Sequence, residues 1–146
     1  MQPKPKQHKV VGMRGLIVDY VGVLDGTEED RQGWRELLGA IRDSDVKLAV
    51  LSNEPEGPGA ERVKADAAWY GVENVFLSGE TGVEKPDPQA FEGAADQLGL
   101  SPKECVLVDD AIENVHGAVQ IGMIGVFYQA LERQAVELRS LFGLNR

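Results

Sequence analysis

Between Gly15 and Gly143, short apolar runs alternate with segments of helical period, and this alternation restricts the chain more than any other feature. The runs GLIV, VKLAVLSN, NVFLSGE, CVLVDD and MIGVFY are four to eight residues long, the size of buried strands, and turn-forming residues lie around them. The intervening segments place apolar residues on single helical faces. Trp34, Leu37, Leu38 and Ile41 form one such stripe, Phe91, Ala94, Ala95 and Leu98 another, and Leu131, Ala135, Leu138 and Phe142 a third. Strand and helix in strict order require right-handed crossovers. The predicted fold is α/β: a three-layer, doubly wound, Rossmann-like sheet of five parallel strands with five helices.

Local signals sharpen the boundaries. Thr27 is placed to cap the first helix, and Asp87 to cap the helix that Pro88 opens, while Gly71, Gly99, Gly122 and Gly143 mark helix ends. Asp25-Gly26 is a turn pair suited to the tip of a small hairpin. The stretch EPEGPG reads as a loop, followed by a helix from about Ala60 to Tyr70. With 146 residues, 42% of them hydrophobic, the chain holds one domain, expected over residues 13–146 behind a flexible polar tail at residues 1–12.

In an open parallel sheet the ligand crevice lies beyond the carboxyl ends of the strands. That rule sorts the polar residues. Asp19 follows the first strand, Ser52 and Asn53 end the second, Lys85 follows the third by a short loop, and Asp109 and Asp110 end the fourth. Singly, each is an ordinary turn, cap or surface residue. Together on one rim they point to chemistry, because converging carboxylates repel unless a cation intervenes. Mg²⁺ suits such a set: it takes one or two carboxylates and keeps water or phosphate oxygens for the rest of its octahedron. Ser52, the Asn53 backbone amide and Lys85 are donor types that fit a bound phosphoryl group, and Asp19 is of the type that attacks phosphorus.

Four stretches in order resemble the motifs of the haloacid dehalogenase superfamily, most of whose members are Mg²⁺-dependent phosphatases. LIVDYVGVL is similar to the first motif, VLSN to the second, EKPDPQAF to the third and VLVDDAIENVHGAVQIGM to the fourth. The resemblance covers nearly the whole chain after the tail. It implies Asp19 as nucleophile, Ser52 and Lys85 on the phosphate, and metal ligands from Asp19, the Val21 carbonyl, Asp109 and Asp110, with Asn114 supporting the loop.

Val21 departs from that pattern. The commonest form of the first motif has there a second aspartate, which protonates the leaving group and later activates water. Valine transfers no proton, and acid-base help is typically worth about 10²–10⁴ in rate. Glu54 and Glu80, near the rim, are the candidate substitutes. Two function classes follow: a phosphohydrolase working through an aspartyl phosphate, or a non-catalytic module that binds metal, phosphate and a protein partner. Dehalogenation fits less well, since the family's dehalogenases use no Mg²⁺ and lack the paired acids. Helix, strand and loop fill the intervals from Asp19 to Ser52 and from Ser52 to Lys85, leaving no room for a cap domain. An uncapped rim suits a bulky phosphorylated substrate, a phosphoprotein among them, or a neighbouring subunit as lid in a homo-oligomer.

The net charge of −9 repels a polyphosphate backbone, and Lys4, Lys6 and Lys9 stand in the tail, so nucleic acid is not an expected partner. No apolar run reaches the ~18 residues of a membrane span and no secretory signal is legible, so the expected location is the cytoplasm. Cys105, the single cysteine, reads as core, and Trp34, Tyr20 and Trp69 as packing residues. His116, two residues past Asn114, reads as a surface or half-buried histidine, and His8 belongs to the tail.

Overall fold

The computed structural model describes residues 12–144, so all of the tail but Gly12, with His8 and the three tail lysines, lies outside the described residues. Five strands, β1 (Gly15–Val18), β2 (Lys47–Ser52), β3 (Asn74–Leu77), β4 (Cys105–Asp109) and β5 (Ile124–Phe127), form one parallel sheet in the order β3-β2-β1-β4-β5. Alternate residues of the strands face opposite layers. Leu16, Val18, Leu48, Val50, Val106 and Val108 pack beneath α1 (Glu28–Arg42), α2 (Pro58–Trp69) and α6 (Leu131–Leu141). Ile17, Ala49, Leu51, Cys105 and Leu107 pack on α4 (Pro88–Gln97) and α5 (Ile112–Gln120). The three-layer α/β arrangement expected from the alternation is the one found.

The stripes do what their spacing implies. Trp34, Leu37, Leu38 and Ile41 are buried under α1, whose first free N–H groups are met by Thr27, its hydroxyl accepting from the Asp30 amide at 3.1 Å. Asp87 likewise accepts from the Gln89 amide at 2.9 Å at the start of α4.

Three local expectations are corrected. No hairpin forms at Asp25-Gly26. The chain instead coils tightly after β1: Val23 and Leu24 both donate to the Tyr20 carbonyl, and the Asp25 carboxylate accepts from the Gly22 amide at 2.8 Å. Burial of Val23 and Leu24 against the α1 layer favours that coil over an exposed ribbon. The loop over residues 54–59 is shorter than expected, because Pro58 and Gly59 already belong to α2. Proline is suited to a first helical turn, where its missing N–H has no helical partner to lose. The third strand stops at Leu77, and Ser78–Thr81 make a single helical turn, α3. There the Gly79 amide and the Ser78 hydroxyl turn to the Glu54 carbonyl, at 2.9 and 3.3 Å, and the ladder cannot continue.

Among the described residues no helix is long and apolar enough to cross a membrane, and no separate cap domain stands over the sheet. Cys105 is wholly buried, and burial pushes its thiol up to about 11.

Candidate functional site

β1 sits at the centre of the sheet, and the strand order reverses beside it, between β1 and β4. Val18 is level with Val108, so the residues that follow, Asp19 and Asp109, emerge side by side at the carboxyl rim. The Asp19 amide still donates to the Val108 carbonyl at 2.9 Å. Two buried carboxylates on neighbouring strands would repel. Lys85 holds them together: its ammonium donates to Asp19 Oδ1 at 2.8 Å, to Asp109 Oδ2 at 2.7 Å and to the Leu51 carbonyl at 2.8 Å. With its side chain 1% exposed, Lys85 spends all three donors inside the protein.

The loop that brings Lys85 there is fastened by Asn53. Its amide nitrogen donates to the Lys85 carbonyl at 2.9 Å, and its amide oxygen accepts from the Lys85 N–H at 2.8 Å. This clamp was not legible from VLSN, which suggested only the backbone amide of Asn53 as a phosphate donor. Ser52, one residue earlier, is buried at the end of β2. Asp109 is steadied from its own side: Oδ1 accepts from the Ala111 amide at 2.9 Å and Oδ2 from the Asn114 side chain at 3.2 Å.

Asp110 completes the acidic group. One carboxylate oxygen from each of Asp19, Asp109 and Asp110 lies within 4.8 Å of the others. Gly22 makes the approach of Asp110 feasible. Its φ is +83°, and a Cβ added there would collide with the Asp110 carboxylate. Gly22 was missed from the sequence, where the only hint was a glycine set between two valines within the first motif.

Three carboxyl groups against one amino group leave acid in excess, by two charges when all of them are ionised. Burial first, and then the charge of Asp109, push Asp19 up to about 7 against the opposing pull of Lys85. An all-oxygen donor set with that excess fits a hard divalent cation. The Val21 carbonyl accepts no hydrogen bond from a described residue, which leaves it free for the same ion.

Val21 is 55% exposed. It lines an open cleft of about 590 Å³, together with Tyr20, Asp25, Glu54, Arg62 and Asp66. Tyr20 reaches across to α2, its hydroxyl donating to Asp66 at 2.6 Å, and burial and that carboxylate push its phenol upward. Glu80 is tied to Lys64 at 2.6 Å. His116 is exposed on α5.

Residues 2–122 match the family model for haloacid dehalogenase-like hydrolases. Among solved structures, an uncharacterized protein from Corynebacterium glutamicum is 52% identical, with a TM-score of 0.88 over 92% of this chain and 98% of that one. A Bacteroides thetaiotaomicron enzyme of the same superfamily, solved with magnesium and inorganic phosphate, is 19% identical with a TM-score of 0.63 over 82% of this chain and 96% of that one, a likeness of fold. Among curated proteins, a glyceraldehyde 3-phosphate phosphatase of Methanopyrus kandleri is 40% identical over 70% of this chain and 45% of its own length. A sesquiterpene phosphatase of Aspergillus oryzae is 29% identical over 73% of this chain and 55% of its own. The chain spans about half the length of the curated relatives it matches. The matched residues run through the acidic motifs of β1 and β4 and the lysine between them, and the chain belongs to the haloacid dehalogenase-like hydrolase family.

Proposed function

We propose that this chain is a magnesium-dependent phosphohydrolase that works through a phosphorylated Asp19. The observation that carries the reading is the Lys85 ammonium bridging Asp19 and Asp109 at 2.8 and 2.7 Å, with Asp110 alongside and acid left in excess. In this reading Asp19 attacks phosphorus and displaces the ester oxygen. Lys85, the Ser52 hydroxyl and the Asn53 backbone amide meet the charge on the transferring phosphoryl group, while Asn114 and the Ala111 amide hold Asp109 in place. Magnesium held by Asp19, Asp109, Asp110 and the Val21 carbonyl would supply charge neutralisation between the nucleophile and its anionic substrate. The open rim favours a bulky phosphorylated substrate. The relatives' names include a triose phosphate, a sesquiterpene phosphate and flavin mononucleotide as substrates, so the reading here stops at phosphate monoesters.

Turnover of p-nitrophenyl phosphate in Mg²⁺ is the test. The unaltered chain hydrolyses it, and both Asp19→Asn and chelation bring the rate to background. A second reading draws on Val21, a solvent-facing side chain that carries no proton where the family's acid usually stands. It makes the chain a binding module, and its signature is a raised melting temperature with Mg²⁺ plus phosphate and no turnover of any ester.

A further inference from the structure

We propose that Glu54 is the proton carrier of this site, donating to the leaving oxygen and then accepting from the attacking water. The inference rests on the phosphohydrolase reading and supplies the group that Val21 cannot.

Its position comes first. β1 and β2 are neighbours with Val18 level with Val50, so the segments after Asp19 and after Ser52 rise from the sheet together. Glu54 and Val21 line the same cleft. The Glu54 backbone is fixed at both ends of the residue: its N–H donates to the Ser52 carbonyl at 3.0 Å, and its carbonyl accepts from Gly79 at 2.9 Å and from the Ser78 hydroxyl at 3.3 Å. The half-buried side chain lies over Gly59, where an added Cβ would strike its carboxylate.

Its chemical freedom comes second. No hydrogen bond or ion pair joins the Glu54 carboxylate to a described residue. The other acids around the cleft are engaged. Asp25 accepts from the Gly22 amide, Asp66 accepts from Tyr20 and from Arg31 at 3.3 Å, and Glu80, the other candidate, is held by Lys64. Arg62 shares the cleft without pairing to Glu54. A carboxylate on a fixed backbone, with unoccupied oxygens and in the cleft that Val21 lines two residues after the nucleophile, has what general acid-base catalysis needs.

The proton balance closes. As Asp19 forms its bond to phosphorus, the bond from phosphorus to the leaving oxygen breaks and the proton of Glu54 passes to that oxygen, releasing an alcohol. Glu54, now a carboxylate, takes a proton from water as that water attacks phosphorus. The Asp19 ester bond then breaks, orthophosphate leaves, and both carboxyl groups return to their starting state.

A structural alternative is that Glu54 only supplies negative charge to the first turn of α2. Leaving-group dependence separates the two roles. First-turnover rates are measured with Mg²⁺ on p-nitrophenyl phosphate, whose phenolate departs unaided, and on a simple alkyl phosphate, whose alkoxide needs a proton. Glu54→Gln should slow the alkyl ester by about 10²–10⁴ while the first release of nitrophenolate stays near the unaltered rate. A slow steady state should follow, with phosphoenzyme accumulating. Glu54→Asp should recover part of the alkyl rate, and the melting temperatures should agree. Equal slowing of both esters, or no slowing of either, overturns the assignment while leaving the phosphohydrolase reading in place. No turnover of either ester by the unaltered chain overturns both.

Discussion

Asp19 ionises near 3.8 in an unperturbed chain and near 7 in the folded one, chiefly because folding buries it. Between those two values the folded state holds the extra proton, so this group's contribution to stability is present below pH 4 and is lost as the pH rises through 7. Metal-free Asp19→Asn should therefore be more stable than the unaltered chain at pH 8, by on the order of 1–4 kcal/mol, with the gap closing toward pH 4. Added Mg²⁺ should raise the melting temperature of the unaltered chain more than that of the variant, and melting curves across pH with and without the ion check both statements. Gly22 makes a separate demand. Its φ of +83° is strained for any other residue, and a methyl group there displaces the Asp110 carboxylate. Gly22→Ala should weaken Mg²⁺ binding about 10–100-fold, as losses around a metal's ligands commonly do, measured by titration calorimetry.

At the scale of elements, caps that precede their helix were readable and caps supplied from elsewhere were not. Thr27 and Asp87 stand immediately ahead of α1 and α4 and do what a side-chain oxygen there does. α6 has alanine at that place, and its start is satisfied from within: Gln134, buried among its apolar neighbours, accepts from the amides of Gln129 and Ala130, both at 2.8 Å. The apolar stripe of α6 conceals that role. Gln134→Ala leaves two amides without their acceptor and should cost about 1–3 kcal/mol in urea unfolding. Long-range contacts likewise decided where β3 stops. Nothing in NVFLSGE announces that Ser78 and Gly79 will turn to the carbonyl of Glu54.

The whole molecule repeats that division. Strand number, parallel pairing and rim follow from period and alternation, and the rule about strand ends was enough to gather Asp19, Ser52, Lys85, Asp109 and Asp110 at one face. Neither the cleft beside Val21 nor the open oxygens of Glu54 could be foreseen, because they depend on how α2 meets the turn after β1 and how α3 holds the Glu54 backbone. The lysine brought in by the loop between α3 and α4 has one more effect. By placing its amino group against both Asp19 and Asp109, the chain brings a counter-charge of its own to the acids that follow the first and fourth strands. Part of the repulsion among these acids is thus met by the polypeptide itself.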